Sequence, residues 1–316
     1  MTEISWPNPT KEDFELARKY GYTPQLIARF RTILGHELKD FLKSLEKYNR
    51  KFIRVNTLKI APRDLIRKLE KQGFELGETF LDYAFEVLYE PYSISSSKEY
   101  LLGYFYIQDI SSMIPPLLLD PKPGELILDL AAAPGGKTTH IAQITNEKAK
   151  IVAVDISRER MRAMRSNINR LGIKSVLLIR SDGRKIVNYN VKFDKILLDA
   201  PCTGEGVIPR DPQRKRIKLQ EYKSRVHLQR ELLRTAWQVL KPGGLLVYST
   251  CTYAPEENEH NVSFAVKELG MDLIKEWPIK TFKPSEGHGL KGVWRVYTHR
   301  HKTLGAFYAI LRKKGD

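Results

Sequence analysis

From residue 126 onward the chain repeats one pattern, an apolar run followed by a turn and then a helical stretch. Residues 126–130, 150–155, 176–180, 193–199 and 244–249 have the length and aliphatic content of buried strands. Helices are predicted over 137–144, over a segment that Ser157 can cap and that runs to Leu171, and over 219–240. Strands that alternate with helices pair in parallel through crossovers. The fold expected is therefore α/β, a doubly wound sheet with helices on both faces. Residues 303–311 read as a last strand, expected at an edge.

The first third has a different texture. Residues 11–20, 23–34 and 37–47 are amphipathic with apolar spacings of three and four, a small helical cap. A β-like stretch at 52–57 precedes a helix over 62–71, where Pro62 is tolerated in the first turn, and apolar pieces follow at 85–89 and 104–107. These predict a small α+β module. Two domains are expected, the cap plus module over 1–110 and the doubly wound unit over 111–316.

Ligands of such sheets sit beyond the C-terminal strand ends, and those ends are acidic here. Asp129, Asp155 and Asp199 close three strands and Asp182 follows a fourth. Asp155 is placed to accept hydrogen bonds from ribose hydroxyls, and Asp182 from an adenine amino group. The loop Ala131-Ala132-Ala133-Pro134-Gly135-Gly136-Lys137-Thr138 lacks the first glycine of a phosphate-binding P-loop, because Ala131 stands there. It also lacks the GxGxxG spacing for a dinucleotide. A smaller anion at a helix N-terminus fits, such as the methionine carboxylate of S-adenosylmethionine, approached closely because Gly135 and Gly136 have no side chains.

The only two cysteines, Cys202 and Cys251, follow the strands 193–199 and 244–249 in polar turns. Two cysteines without a CxxC or a histidine-rich partner exclude a disulfide framework and a zinc site, and no metal is expected. If the two strands are neighbours, both thiols face the cofactor. Nitrogen and oxygen acceptors need no covalent help in methyl transfer, but C5 of a pyrimidine does. A thiolate added at C6 makes C5 nucleophilic, and a carboxyl group such as Asp199 at N3 and the exocyclic amine would select cytosine. Residue chemistry alone leaves the nucleophile open between the two cysteines.

The net charge of +16 favours a polyanionic partner, nucleic acid ahead of an anionic membrane surface. Residues 111–250 hold most of it, with 25 basic and 13 acidic side chains. Within them, Arg210, Arg214, Lys215 and Arg216 follow the first cysteine and are candidates for gripping RNA phosphates. No apolar run approaches the roughly 18 residues of a spanning helix, and the N-terminus lacks a signal-peptide pattern, so a cytoplasmic protein is expected.

The motifs LDLAAAPGGKTT, VDIS, SDGR, LLDAPCTGEG and STCTYAPEENE, with RVNTLK at 54–59 and QDISS at 108–112, closely resemble the RNA cytosine-5 methyltransferases of the Fmu/Sun family. The resemblance covers about residues 50–312. It implies a class I S-adenosylmethionine-dependent methyltransferase fold, Rossmann-like, preceded by an RNA-recognition-like α+β module. It also implies that Cys251 is the nucleophile, that Cys202 assists breakdown of the adduct, and that Ala131 through Lys137, Asp155, Asp182 and Asp199 contact the cofactor. Ala131 departs from the cysteine many members carry there, a change of packing more than of chemistry. The RNA expected is tRNA, with rRNA as the alternative. Transfer to another acceptor, or an inactive RNA-binding module, are weaker readings that the paired thiols and intact motifs oppose.

Overall fold

A computed structural model describes residues 6–315. Three helices come first, α1 (Lys11–Tyr20), α2 (Pro24–Leu34) and α3 (Leu38–Lys47). Thr10 caps α1 in a reciprocal box with Asp13, satisfying two backbone donors at its start. A small module follows: β1 (Lys51–Val55), α4 (Pro62–Glu70), β2 (Glu75–Glu78), β3 (Ala84–Tyr89), the short α5 (Lys98–Leu101) and β4 (Phe105–Ile107). Its antiparallel sheet has the order β2-β3-β1-β4. Ile53, Val55, Leu65, Leu69, Phe74 and Phe105 fill its own core.

The large unit comprises α6 (Ile110–Leu119), β5 (Leu126–Asp129), α7 (Gly136–Ile144), β6 (Lys150–Asp155), α8 (Arg158–Leu171), β7 (Val176–Arg180), β8 (Phe193–Asp199), α9 (Leu219–Val239), β9 (Leu240–Thr250), α10 (Glu259–Lys267), β10 (Asp272–Ile274), β11 (Ser285–Glu286), β12 (Trp294–Val296), α11 (Thr298–His301) and β13 (Ala306–Arg312). Its sheet runs β11-β12-β13-β9-β8-β5-β6-β7, with β10 also on β13. Strands β5 to β9 are mutually parallel, as the alternation requires. Alternate strand residues feed two cores, so Ile127 and Ala153 pack on one face while Leu128 and Val154 pack on the other.

One expectation is corrected. The last strand is not at an edge: β13 lies antiparallel between β9 and β12, pairing Phe307 with Thr250 through to Arg312 with Leu245. That position explains why all but the last of its seven residues are buried.

The helical cap also packs where the sequence does not announce it. Phe30, Phe41 and Leu42 share a core with Ile208, Tyr253 and Tyr297 of the large unit. Arg29, itself buried, forms a two-pronged bridge to Glu256 at 3.1 and 2.7 Å, and Glu37 bonds both His299 and Arg300. The cap thus lies against the segment that follows the second cysteine. No helix among the described residues is long and apolar enough to cross a membrane.

Candidate active site

β8 and β9 are parallel neighbours with Asp199 opposite Ser249. Cys202 comes three residues after Asp199, and Cys251 two after Ser249. Cys202 Sγ and Cys251 Sγ therefore meet at 3.3 Å as free, partly exposed thiols. The Cys251 amide also points at Cys202 Sγ, 3.4 Å away. The hydrogen bond with Cys251, together with burial and the negative potential of Glu257, pushes the Cys202 thiol well above the usual range. Cys202 is thereby kept as a thiol within hydrogen-bonding distance of the Cys251 sulfur.

Two buried carboxylates underpin the thiol turns. Glu257 accepts from the Thr203 amide at 3.1 Å, from the Thr203 hydroxyl and from Gln229 Nε2 at 2.7 Å. Glu205 accepts from Tyr222, from Thr252 Oγ1 at 3.0 Å and from the Tyr253 amide at 2.8 Å. Thr203 and Thr252 share a hydrogen bond of 2.9 Å, so each residue after a cysteine is tied to the other. Burial raises the Glu257 pKa to about 7. Gly206 completes the brace, its amide donating to the Cys251 carbonyl at 2.8 Å, and a side chain there would collide with the Gly305 carbonyl. Neither glutamate was singled out from sequence, although both stand in the quoted motifs. Their signal is two acids close behind two cysteines.

Beside the thiols, Asp199 is held from two sides, by Lys137 Nζ at 2.6 Å and Ser249 Oγ at 2.7 Å. Burial opposes the charge on Lys137, but Asp199 more than offsets it, and the ammonium pKa is raised. Asp199, Lys137, Asp129 and the loop residues Ala131, Ala132, Ala133, Pro134 and Gly136 line a cavity of about 360 Å³, a size suited to a small-molecule ligand. Asp129 is buried. One of its oxygens accepts from Thr138 at 2.6 Å and the other has no partner among the described residues, while burial lifts its pKa to about 7. Gly135 starts α7 with φ +97°, a conformation that favours glycine. The first turn of α7 borders the cavity at Gly136 and Lys137, and a helix N-terminus favours a carboxylate.

Neither Asp155 nor Asp182 lines this cavity. Asp155 is buried, accepting from the Ala133 amide at 3.1 Å and the Ser157 amide at 2.9 Å, so it braces the loop. Ile156 beside it is 68% exposed, an apolar flank that sequence reading passed over. Asp182 is paired with Arg184, whose guanidinium contacts both carboxylate oxygens at 2.5 to 3.1 Å. Arg54 of β1 was likewise missed as a single residue. Fully buried, it donates to Gln108 Oε1 and the Gly136 carbonyl, both at 2.7 Å, and to Thr139 at 2.8 Å. The small module thereby fixes the start of α7. Tyr106 also lines the cavity.

The four basic candidates separate. Arg210 is exposed, bonds the Arg50 carbonyl and borders the cavity. Arg216 is exposed and takes no ion pair among the described residues. Lys215 is corrected from an RNA-facing cation to a cap-facing one: its ammonium bonds Glu46 at 2.6 Å and the Tyr20 carbonyl at 2.9 Å. Arg214 turns inward to Asp211 and the Thr203 carbonyl. Burial opposes its charge, but Asp211 and the two cysteines outweigh that and raise its pKa. A fixed cation thus faces the thiol pair.

A family described as 16S rRNA methyltransferase RsmB/F matches residues 116–312, and the N-terminal domain of 16S rRNA methyltransferase RsmF matches residues 23–110. A tRNA (cytosine(72)-C(5))-methyltransferase of Pyrococcus horikoshii is 46% identical over 71% of this chain and 56% of its own length. The 25S rRNA (cytosine-C(5))-methyltransferase nop2 of Schizosaccharomyces pombe is 34% identical over 96% of this chain and 52% of its own. The chain thus spans about half the length of these two curated relatives. It shares 39% identity with a tRNA (cytosine(49)-C(5))-methyltransferase of Pyrococcus abyssi over 87% of both chains. Among solved structures, NSun6 from P. horikoshii with SFG superposes with a TM-score of 0.85 at 32% identity, over 92% of this chain and 98% of that one.

Proposed function

This chain belongs to the RsmB/F (Fmu/Sun) family of RNA cytosine-C5-methyltransferases, and on that premise we propose that it transfers a methyl group from S-adenosylmethionine to C5 of a cytosine in RNA. The observation that carries the reading is the pair of thiols 3.3 Å apart beside the Lys137–Asp199–Ser249 cluster. A carbon acceptor is the one common methyl acceptor that needs such a nucleophile.

The cavity, the open α7 N-terminus and the unpartnered Asp129 oxygen suit a zwitterionic amino-acid end, and the adjoining Asp155 and Ile156 suit a nucleoside. When bound, the cofactor supplies a methyl group on a sulfonium. Cys251, as thiolate, adds its Sγ to C6 of the cytosine, and the electron pair displaced toward C5 takes up the methyl group. Asp199 accepts from the exocyclic amine, and from N3 once that nitrogen carries a proton. A base then removes the C5 proton, the C5–C6 double bond re-forms, and the Cys251 Sγ–C6 bond breaks to return the thiolate. Cys202, protonated at 3.3 Å, donates to the Cys251 sulfur as that negative charge returns. Arg214 favours the same thiolate.

We take tRNA as the substrate. The P. abyssi relative, matched over 87% of both chains, is named as a tRNA enzyme. The fused cap and module over 1–110 form the RNA-recognition part, with Arg210 and Arg216 as phosphate contacts. The cell compartment proposed is the cytoplasm. Bisulfite sequencing of RNA from a deletion strain tests this: a lost tRNA cytosine signal is expected, and unchanged tRNA with a lost rRNA signal overturns the substrate assignment.

A further inference from the structure

At the far edge of the large sheet, Arg158, Arg162 and Arg165 occupy one face of α8, at spacings of four and three. Arg180 ends β7 next to them. With Met161 and Leu178 these four arginines line a cavity of about 510 Å³, separate from the cofactor cavity. All four are exposed, and none of their side chains takes an ion pair or hydrogen bond with another described residue. Elsewhere Arg29, Arg50, Arg184, Arg295 and Arg300 each hold a carboxylate. Arg160, on the same helix, reaches Asp155. Four unpaired guanidinium groups around one hollow repel each other, and an anion relieves that repulsion.

The place of the groove matters as much as its charge. Arg180 pairs with Asp155 in the β6–β7 register, so the groove begins level with the strand ends that carry the cofactor loop. Four strand spacings of about 4.8 Å separate β7 from β9, which places it about 19 Å along the sheet from the strand leading to Cys251. A stacked nucleic-acid strand covers that in about six nucleotides.

We propose that the Arg158–Arg162–Arg165–Arg180 groove binds the phosphate backbone of the substrate RNA several nucleotides from the target cytosine. Guanidinium forks match phosphate oxygens, and the groove reads backbone, not base. The proposal rests on the reading of RNA as the substrate.

The test is a salt titration of binding to bulk tRNA from a deletion strain, for the wild type, for R162A/R165A/R180A, and for K267A/K280A/K291A, which removes the same charge from exposed positions between α10 and β12. Arg158 is kept because it lies close to Asp155. The groove variant is expected to bind at least tenfold more weakly at low salt, with the slope of log Kd against log salt reduced by about 2, at about 0.7 per single-strand phosphate contact. The lysine control and S-adenosylmethionine affinity should match the wild type. R165A alone should lower the slope by about 0.7, which keeps the test valid if the triple variant folds poorly. A wild-type slope in the groove variants, or an equal loss in the control, overturns the proposal. A wild type that binds no RNA would instead remove the functional reading on which it rests.

Discussion

Cys202 Sγ lies 3.3 Å from Cys251 Sγ, within reach of one shared proton and well beyond bonding distance. The two thiols are unequal by construction. Cys202 is held protonated by its neighbour and by burial, while an arginine faces the pair. Iodoacetamide at pH 7.5 should therefore alkylate Cys251 and spare Cys202, as read by peptide mass mapping. Preferential labelling of Cys202 would contradict the assigned polarity.

The carboxylate brace beneath the thiols makes a different prediction. Glu257→Ala leaves the Thr203 amide, the Thr203 hydroxyl and one Gln229 amide proton without their acceptor in a buried place. Unsatisfied buried donors cost about 1–3 kcal/mol each, so a loss of roughly 3 kcal/mol or more is expected in urea unfolding. Surviving folded enzyme should lose kcat while keeping its cofactor affinity, since Glu257 touches the thiol turns and not the cofactor cavity.

Arg29 joins the helical cap to the turn after Cys251. Arg29→Ala removes half of a buried two-pronged pair and strands Glu256. Breaking such a pair costs about 3–5 kcal/mol, so a clear drop in melting temperature is expected. Arg29→Lys, which keeps the charge but not the fork, should recover only part of it.

Asp129 predicts a pH dependence. Its folded pKa is about 7 against an ordinary 3.8, because burial disfavours the charge. The folded state therefore holds a proton that the unfolded chain releases between these values. Stability from this group is present below about pH 4 and is lost as pH rises through 7. Without cofactor, Asp129→Asn should match the wild type near pH 4.5 and melt higher at pH 8. A constant difference across that range would contradict the shift.

Much of this was legible in sequence, and for a physical reason. Buried parallel strands are continuous apolar runs, so 150–155, 176–180 and 193–199 could be bounded to the residue. Placing Cys202 and Cys251 at strand ends needed only that alternation, whereas the pairing of β8 with β9 that brings them together comes from the structure. Sheet order beyond the parallel part was not legible: nothing in 303–311 says that β13 inserts beside β9, because pairing partners leave no local periodicity. Nor could Lys215 be told from Arg216, when what separates them is Glu46, 169 positions away. Arg54, Glu205 and Glu257 stood in the motifs as letters. Only packing reveals that each satisfies several buried groups at once.

The central claim, that Cys251 attacks and Cys202 releases, is tested most directly by trapping with RNA containing 5-fluorocytosine, whose C5 fluorine cannot leave as a proton does. Wild type and Cys202→Ala should form a covalent protein–RNA adduct that survives denaturing gel electrophoresis, and Cys251→Ala should form none. An adduct on Cys251→Ala that is absent from Cys202→Ala would invert the two roles.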